Sequence, residues 1–412
     1  MRILYFHQHF KTPSVAGGTR SYEMAQRLIS RGHAVTMVCG KTDDLGLPRT
    51  GRKGVLRGDI DGIDVIQLDL PYSNYDGILK RTLVFLRFAW QSVRLALSEP
   101  YDVLFATSTP LTAGIPGIVT KLCRRKKPFV FEVRDLWPEL PKALGMKNPL
   151  LLGGMSVLEW LSYNLADACI GLSPGICEGI AKRCQNGKPI AMIPNSCDLA
   201  IFKPGQRSDL KLDGITDSDL VAVFTGAHGI ANGLDAVLDA AAELMKRGRK
   251  DIVFVFIGDG RMKPELMKRA EQEGLSNCRF LDPMPKTKLN ALVASMDVGL
   301  MILADVPAFY YGTSPNKFFD YIASGLPVLN NYPGWLADMI GKHACGMAVP
   351  PRNPTAFADA LVALAADPAK RSEMGRNARV LAEAEFNRMQ LGNRFVDLLE
   401  SVNMMHPTPV PR

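Results

Sequence analysis

Tyr311-Gly-Thr-Ser-Pro-Asn-Lys-Phe-Phe-Asp-Tyr-Ile-Ala-Ser-Gly-Leu-Pro-Val328 reads as a loop that turns into a short helix and stops at Gly325 and Pro327 before an apolar strand. Thr313 or Ser314 is placed to cap that helix, Pro315 suits its first turn, and Asn316 and Lys317 put polar groups at its opening. A helix start offers free backbone N–H groups and a partial positive charge to an anion. One turn further in, Asp320 carries a carboxylate able to accept hydrogen bonds from sugar hydroxyls. An anion at the mouth and hydroxyls inside point to a nucleotide-sugar.

The same alternation of strand and helix extends outward over the chain. Arg2–Phe6, Val35–Cys39, Gly62–Leu70, Val103–Ala106, Phe129–Val133, Ala168–Leu172 and Ile190–Ile193 are predicted strands, with helices over Gly18–Arg31, Leu79–Leu97 and Leu151–Asn164. Residues 195–214, rich in Pro, Gly, Asp and Lys, carry no period and mark a linker. The pattern then restarts at Val221–Thr225 and runs through Ile252–Ile257, Arg279–Leu281, Val298–Ile302 and Val328–Asn330, with helices between them. Long helices over 354–366, 371–385 and about 388–402 precede a Pro-rich tail. A length of 412 residues suits two domains. The expected fold is α/β, with two Rossmann-like doubly wound domains facing each other across a cleft. One spans 1–205, completed by the helix at 388–402; the other spans 206–387; residues 403–412 are expected to be disordered. Ligands of such sheets bind beyond the carboxyl ends of the strands.

A hydrophobic content of 47% with 22% charged residues describes a globular protein, and a formal charge of +8 suits an anionic partner. No Cys-x-x-Cys pair and no aromatic-basic nucleic-acid motif accompanies that charge, so phosphate or an acidic membrane is favoured over nucleic acid. The cysteines are scattered through apolar segments and read as reduced thiols of a cytoplasmic protein. Met1–Phe6 runs straight into a strand, which leaves no room for a signal peptide, and no charge-free apolar run reaches the ~18 residues of a spanning helix. Leu79–Leu97 interleaves Lys80, Arg81, Arg87 and Arg94 with apolar residues, and Arg124-Arg-Lys-Lys127 adds a basic cluster. Such a surface can lie on an anionic membrane, at about 1 kcal/mol per cation, or can be an ordinary packing helix with a solvated face.

Several residues stand where chemistry is expected. The first loop, His7–Ser21, is too long for a dinucleotide fingerprint, but Gly17-Gly18 lets backbone approach a ligand and Arg20 follows in the first helical turn. The alternative there is a tight turn with a solvated Arg. Arg134 and Asp135 end a strand at the expected cleft, as a functional pair or a simple ion pair. Trp137 is a stacking wall or core, and Glu139 is an acceptor-side candidate. His228 sits in a Gly-flanked loop, with His7 and His9 as secondary candidates. Asn195 and Asp198 read as a hinge whose side chains bond the turn locally, and Gly258-Asp-Gly260 as a structural strand-end turn.

Gly17-Gly18, Ile193-Pro-Asn-Ser-Cys-Asp198 with Phe202 and Pro204, Ile257-Gly-Asp-Gly260, and Phe319-Asp-Tyr-Ile-Ala-Ser-Gly-Leu-Pro-Val328 occur in this order. Together they resemble the retaining GT-B glycosyltransferases of family 4, over essentially the whole chain. Val133-Arg-Asp-Leu-Trp-Pro-Glu139 and Phe224-Thr-Gly-Ala-His-Gly-Ile-Ala-Asn-Gly-Leu-Asp235 are similar to a subgroup, the N-acetylfucosamine-type transferases of bacterial O-antigen and capsule assembly. The resemblance implies transfer from a UDP-sugar to a lipid-linked saccharide with retention, at the inner face of the cytoplasmic membrane. It implies no metal and no cofactor, a donor held by the C-terminal domain, and an acceptor held by the N-terminal one. Asp320 then binds the ribose hydroxyls and Met284 lies near the base.

The departures from that family are informative. Its first donor carboxylate falls on Gly312, and its diphosphate-binding Arg and Lys fall on Ala227 and Asn232. Losing one preorganised donor typically costs about 10²–10³ in rate, whereas an exposed helix start contributes only ~0.3–1 kcal/mol. Lys317 is the first candidate replacement and Arg20 the second, with the amides of Gly17, Gly18, Thr313, Ser314 and Asn316 and the ring of His228 assisting. Arg134 stands where the family often has a His beside the reacting sugar, and Asp135 can accept from that sugar or steady charge at its anomeric carbon. The expected catalytic set is Asp135, Lys317 and Arg134. A UDP-sugar epimerase on the same fold, or a non-catalytic GT-B subunit, is the alternative.

Overall fold

Unbroken runs of Val, Ile, Leu and Phe form strands covered on both faces, which is the condition for parallel pairing. Val103–Thr107 and Ile252–Ile257 are buried at every position. The computed structural model describes residues 1–406 apart from 16, 74–75, 125–126, 144, 186, 206–211 and 213. The tail from Pro407, the 205/206 boundary on its C-terminal side, and Arg125 and Lys126 of the basic cluster lie outside the described residues.

The first sheet comprises β1 (Arg2–Phe6), β2 (Ala34–Lys41), β3 (Val55–Ile60), β4 (Ile63–Pro71), β5 (Val103–Thr107), β6 (Phe129–Val133), β7 (Ala168–Gly171) and β8 (Ile190–Met192) in the order β3-β4-β2-β1-β5-β6-β7-β8. The second comprises β9 (Leu220–Thr225), β10 (Ile252–Ile257), β11 (Cys278–Leu281), β12 (Val298–Met301), β13 (Val328–Asn330) and β14 (Gly346–Ala348) in the order β11-β10-β9-β12-β13-β14. Both contain the Rossmann order, in which the winding reverses beside the first strand. Pairing is parallel except between β3 and β4.

The hairpin strand β3 and the helices Ile115–Cys123, Pro174–Arg183 and Trp335–Lys342 escape the sequence reading. The hairpin turns through Asp61 and Gly62 at positive φ, and its edge strand alternates polar residues. Pro116 and Pro174 look like helix breakers but occupy first turns, where no N–H is missed.

The last helix, Arg388–Met404, returns to the first sheet and packs on the helix Arg20–Ser30. Arg31 pairs with Asp397 and Glu400 at 3.0 and 2.8 Å, and Arg388 pairs with Glu23 at 2.7 Å. Phe395 is fully buried, with its ring 5.0 Å from Phe105 and 6.5 Å from Tyr5. Phe395→Ala is therefore expected to lower unfolding stability by about 3–5 kcal/mol in urea titration. A loss under about 1 kcal/mol would mean this helix adds little to the first domain.

Candidate functional site

The winding reverses between β1 and β5 in one sheet and between β9 and β12 in the other. Loops leaving the carboxyl ends of these strands and of β6 meet around a cavity of about 430 Å³. Of the candidate residues, Gly18, Arg134, Asp135, Thr313, Ser314, Asn316 and Lys317 line it. His7, His9, Lys11, Thr109, Asn195 and Asn232 join them. A larger hollow of about 870 Å³ lies on the C-terminal half alone, by Asp259, Lys263 and Asp282. Lys263 there is already paired with Asp282 at 2.8 Å, whereas polar groups from both halves of the chain line the interdomain cavity, which is the better site.

Lys317 lies in the first turn of the helix Asn316–Ala323. Its Nζ donates to Asn232 Oδ1 at 2.7 Å, and Asn232 Nδ2 donates to Ala227 O at 2.7 Å. The ammonium also stands 4.3 Å from the centroid of the Phe224 ring. Among the described residues no carboxylate forms an ion pair with it, and burial pushes its pKa down to about 7. The lysine thus reaches Asn232 directly and the Ala227 carbonyl only through the Asn232 amide.

On the opposite wall Arg134 and Asp135 follow β6. Arg134 Nη1 stands 3.5 Å from His7 Nε2, and Thr109 Oγ1 donates to Asp135 Oδ2 at 3.1 Å. Burial raises the Asp135 carboxyl, with Arg134 and Thr109 opposing. Burial, then Arg134, hold His7 well below its ordinary value, so it is neutral and accepts from Arg134. This wall offers a guanidinium with no carboxylate ion pair among the described residues and a hydrogen-bond-accepting carboxyl to a ligand.

Other expected residues are placed elsewhere. Arg20 does not reach the cavity: its Nε and Nη2 bond Glu132 Oε2 at 3.0 and 2.7 Å, and Nη1 and Nη2 donate to Pro194 O and Ile193 O. Burial of Glu132 would raise its carboxyl, but Arg20, with Arg134 and Thr107 assisting, holds it below the ordinary range. His228 lies under its loop among Phe224, Phe256 and Phe280, at 6.0 to 6.3 Å between centroids, facing core rather than cleft. Burial pushes its pKa down to about 4. Asp320 sits below the cavity and accepts from Lys286 Nζ at 3.0 Å. A ribose hydroxyl would have to share it with that lysine. Met284 packs against the core outside the cavity, and Trp137, partly buried, packs against the core of the first domain. Gly17 backs onto the Lys11 stem, 2.7 Å from where its Cβ would stand.

The caps also differ. Pro315 is the N-cap and makes no side-chain cap bond, Thr313 Oγ1 donates to Phe309 O at 3.0 Å, and Ser314 Oγ accepts from Asn195 N at 3.0 Å. Asn195 therefore bonds across the cleft, while Asp198 caps its own turn through Ile201 N as expected. Gly18 faces Asn316, whose Nδ2 would lie 2.8 Å from an added Cβ.

Removing one partner of a buried ion pair costs about 3–5 kcal/mol. Arg20→Met should therefore lower the midpoint of thermal unfolding by many degrees. An arginine serving only a phosphate would leave the ligand-free midpoint unchanged. Glu132's folded value is depressed, so the pair's contribution is present above the ordinary carboxyl range and lost as pH falls through the folded value.

Two family descriptions match the chain: a glycosyl transferase 4-like domain over residues 16–196, and glycosyl transferases group 1 over residues 219–367. A probable glycosyltransferase, WbjE of Pseudomonas aeruginosa, is 24% identical over 297 residues, covering 70% of this chain and 72% of the relative. Among solved structures, WaaG, a glycosyltransferase involved in lipopolysaccharide biosynthesis, has a TM-score of 0.68 at 16% identity, covering 96% of this chain and 99% of that one. HepE of Anabaena in complex with UDP-glucose has a TM-score of 0.70 at 16% identity, covering 97% of this chain and 100% of that one. These structures share the GT-B fold, two Rossmann-like domains about a cleft.

Proposed function

Because the chain belongs to the group 1 glycosyltransferases with a 4-like N-terminal half, we propose that it moves a sugar from a UDP-sugar to a lipid-linked saccharide with retention of configuration. Surface-polysaccharide assembly is the setting, and an N-acetylated amino sugar the donor group, in line with the subgroup motifs at Val133–Glu139 and Phe224–Asp235. The observation that carries this reading is Lys317, a half-buried lysine with no carboxylate ion-paired to it among the described residues, reaching Asn232 at the mouth of the cleft. A charge in that setting is costly until an anion completes it. The UDP-glucose bound by HepE and the lipopolysaccharide role of WaaG support the donor and the setting.

In the proposed reaction the bond from the anomeric carbon to the UDP β-phosphate breaks as the acceptor oxygen bonds that carbon from the same face. The departing phosphate oxygen takes the acceptor's proton. Lys317 and Arg134 offset the charge growing on UDP, and Asp135 accepts hydrogen bonds from the sugar. No metal and no cofactor takes part. The chain's work is positioning and charge compensation.

The shifted lysine gives this a pH signature. Above pH 7 the empty site holds largely neutral Lys317, and UDP must restore its charge on binding. UDP affinity should then fall by up to about tenfold per unit from pH 7 to 9, with close to one proton taken up per UDP at pH 8 in calorimetry across buffers. Lys317→Met should abolish the uptake and weaken UDP at pH 7 at least tenfold. Uptake that persists in the variant would refute the assignment.

The membrane reading draws support from the helix Ile78–Ser98. Leu79, Leu83, Leu86 and Trp90 form an exposed stripe along it, from 48% to 87% accessible, flanked by Arg87 and Arg94. Among the described residues no helix is long and apolar enough to cross a membrane. Leu83→Glu with Trp90→Glu should release the protein from phosphatidylglycerol vesicles in sedimentation while leaving its melting point near that of the wild type. Undiminished binding would exclude this face.

A further inference from the structure

On the N-terminal side the cleft runs past Arg134 into a patch that the donor chemistry leaves unused. His9, which lines the cavity, lies 4.6 Å from the ring of Tyr72, just beyond β4. Tyr72 stacks on Phe85 of the helix Ile78–Ser98 at 5.6 Å and 25°. Arg81, one turn earlier, lies over the Tyr72 ring at 5.7 Å, and its Nε is buried without a hydrogen bond among the described residues. Asp76, the acid within its electrostatic reach, is paired with Lys80 at 2.7 Å. Burial, then Arg134, Arg81 and Lys11, push His9 down to about 4, so a neutral imidazole stands in a lane of cations leading from the cleft to the helix.

Two half-buried rings side by side, a neutral imidazole and a guanidinium whose Nε lacks a partner among the described residues suit a sugar phosphate. A pyranose lays its C–H face on an aromatic ring, its hydroxyls exchange hydrogen bonds with imidazole, and a guanidinium takes phosphate in bidentate fashion. We propose that His9, Tyr72, Phe85 and Arg81 form the acceptor subsite, which holds a glycosyl phosphate with its sugar on the Tyr72–Phe85 rings and its phosphate at Arg81. The acceptor hydroxyl then faces Arg134 and Asp135. The apolar stripe Leu79, Leu83, Leu86 and Trp90 belongs to the same helix, so a lipid chain and its head group lie one helix apart. This subsite rests on the transferase reading above.

The test measures binding of three probes to the full chain by calorimetry: UDP, N-acetylglucosamine 1-phosphate, and farnesyl-diphosphate-linked N-acetylglucosamine. Arg81→Ala and Phe85→Leu, the second keeping an apolar side chain in place, should each bind both sugar phosphates at least tenfold more weakly than wild type. Their UDP affinity should stay within twofold. Wild-type-like binding of both sugar phosphates by both variants overturns the subsite, as does a wild-type chain that binds UDP but neither sugar phosphate. A loss confined to the farnesyl compound places recognition in the chain and also overturns it. A wild-type chain that fails to bind UDP removes the donor reading itself, and the subsite falls with it.

Discussion

A lysine with no carboxylate partner among the described residues, set where two parallel sheets face one another, is the constraint on which the rest of the site depends. Lys317 is held by an amide oxygen and an aromatic face, neither of which neutralises it. Burial alone drives its pKa down to about 7. The chain tolerates this because the helix bearing Lys317 is pinned from the other half. Ser173 Oγ donates to Tyr311 O at 2.9 Å, Asn195 grips Ser314 through its backbone N–H and its amide, and Cys197 Sγ reaches Phe319 O at 3.2 Å.

Those pins give the buried Arg20–Glu132 pair its meaning. Arg20 also donates to the carbonyls of Ile193 and Pro194, the residues directly before Asn195. The pair therefore sets the strand end from which Asn195 reaches Ser314, and through it the opening of the helix that carries Lys317. Two arginines of one wall thus have different work. Arg20 is ion-paired in the interior and acts through backbone, while Arg134 stands at the mouth beside His7.

Much of the architecture is legible in sequence because parallel strands covered on both faces are plain apolar runs. Phe129–Val133, Ile252–Ile257 and Val328–Asn330 occupy the residues expected of them. The hairpin strand Val55–Ile60 is hidden because its edge position allows polar alternation. The loops of the site are legible for a similar reason: turn residues mark strand ends. Partner choice is not. Arg20 finds Glu132 across 112 positions, and Lys286 takes Asp320 from 34 positions away. His228, in a loop of small residues suited to a ligand, turns instead onto three phenylalanines that local spacing does not reveal. Lys317 stands out in the sequence because a lysine in a first helical turn opposes the helix dipole, and the structure places it in that turn.

The central claim is that this ammonium awaits a diphosphate. A crystal structure of the chain soaked with UDP tests it most directly. The account predicts a β-phosphate oxygen within hydrogen-bonding distance of Lys317 Nζ, about 2.7–3.2 Å, with the opening of the helix Asn316–Ala323 turned to the same phosphate. UDP bound in the hollow beside Lys263 and Asp282, or a cleft that stays empty with Lys317 still on Asn232, would contradict it.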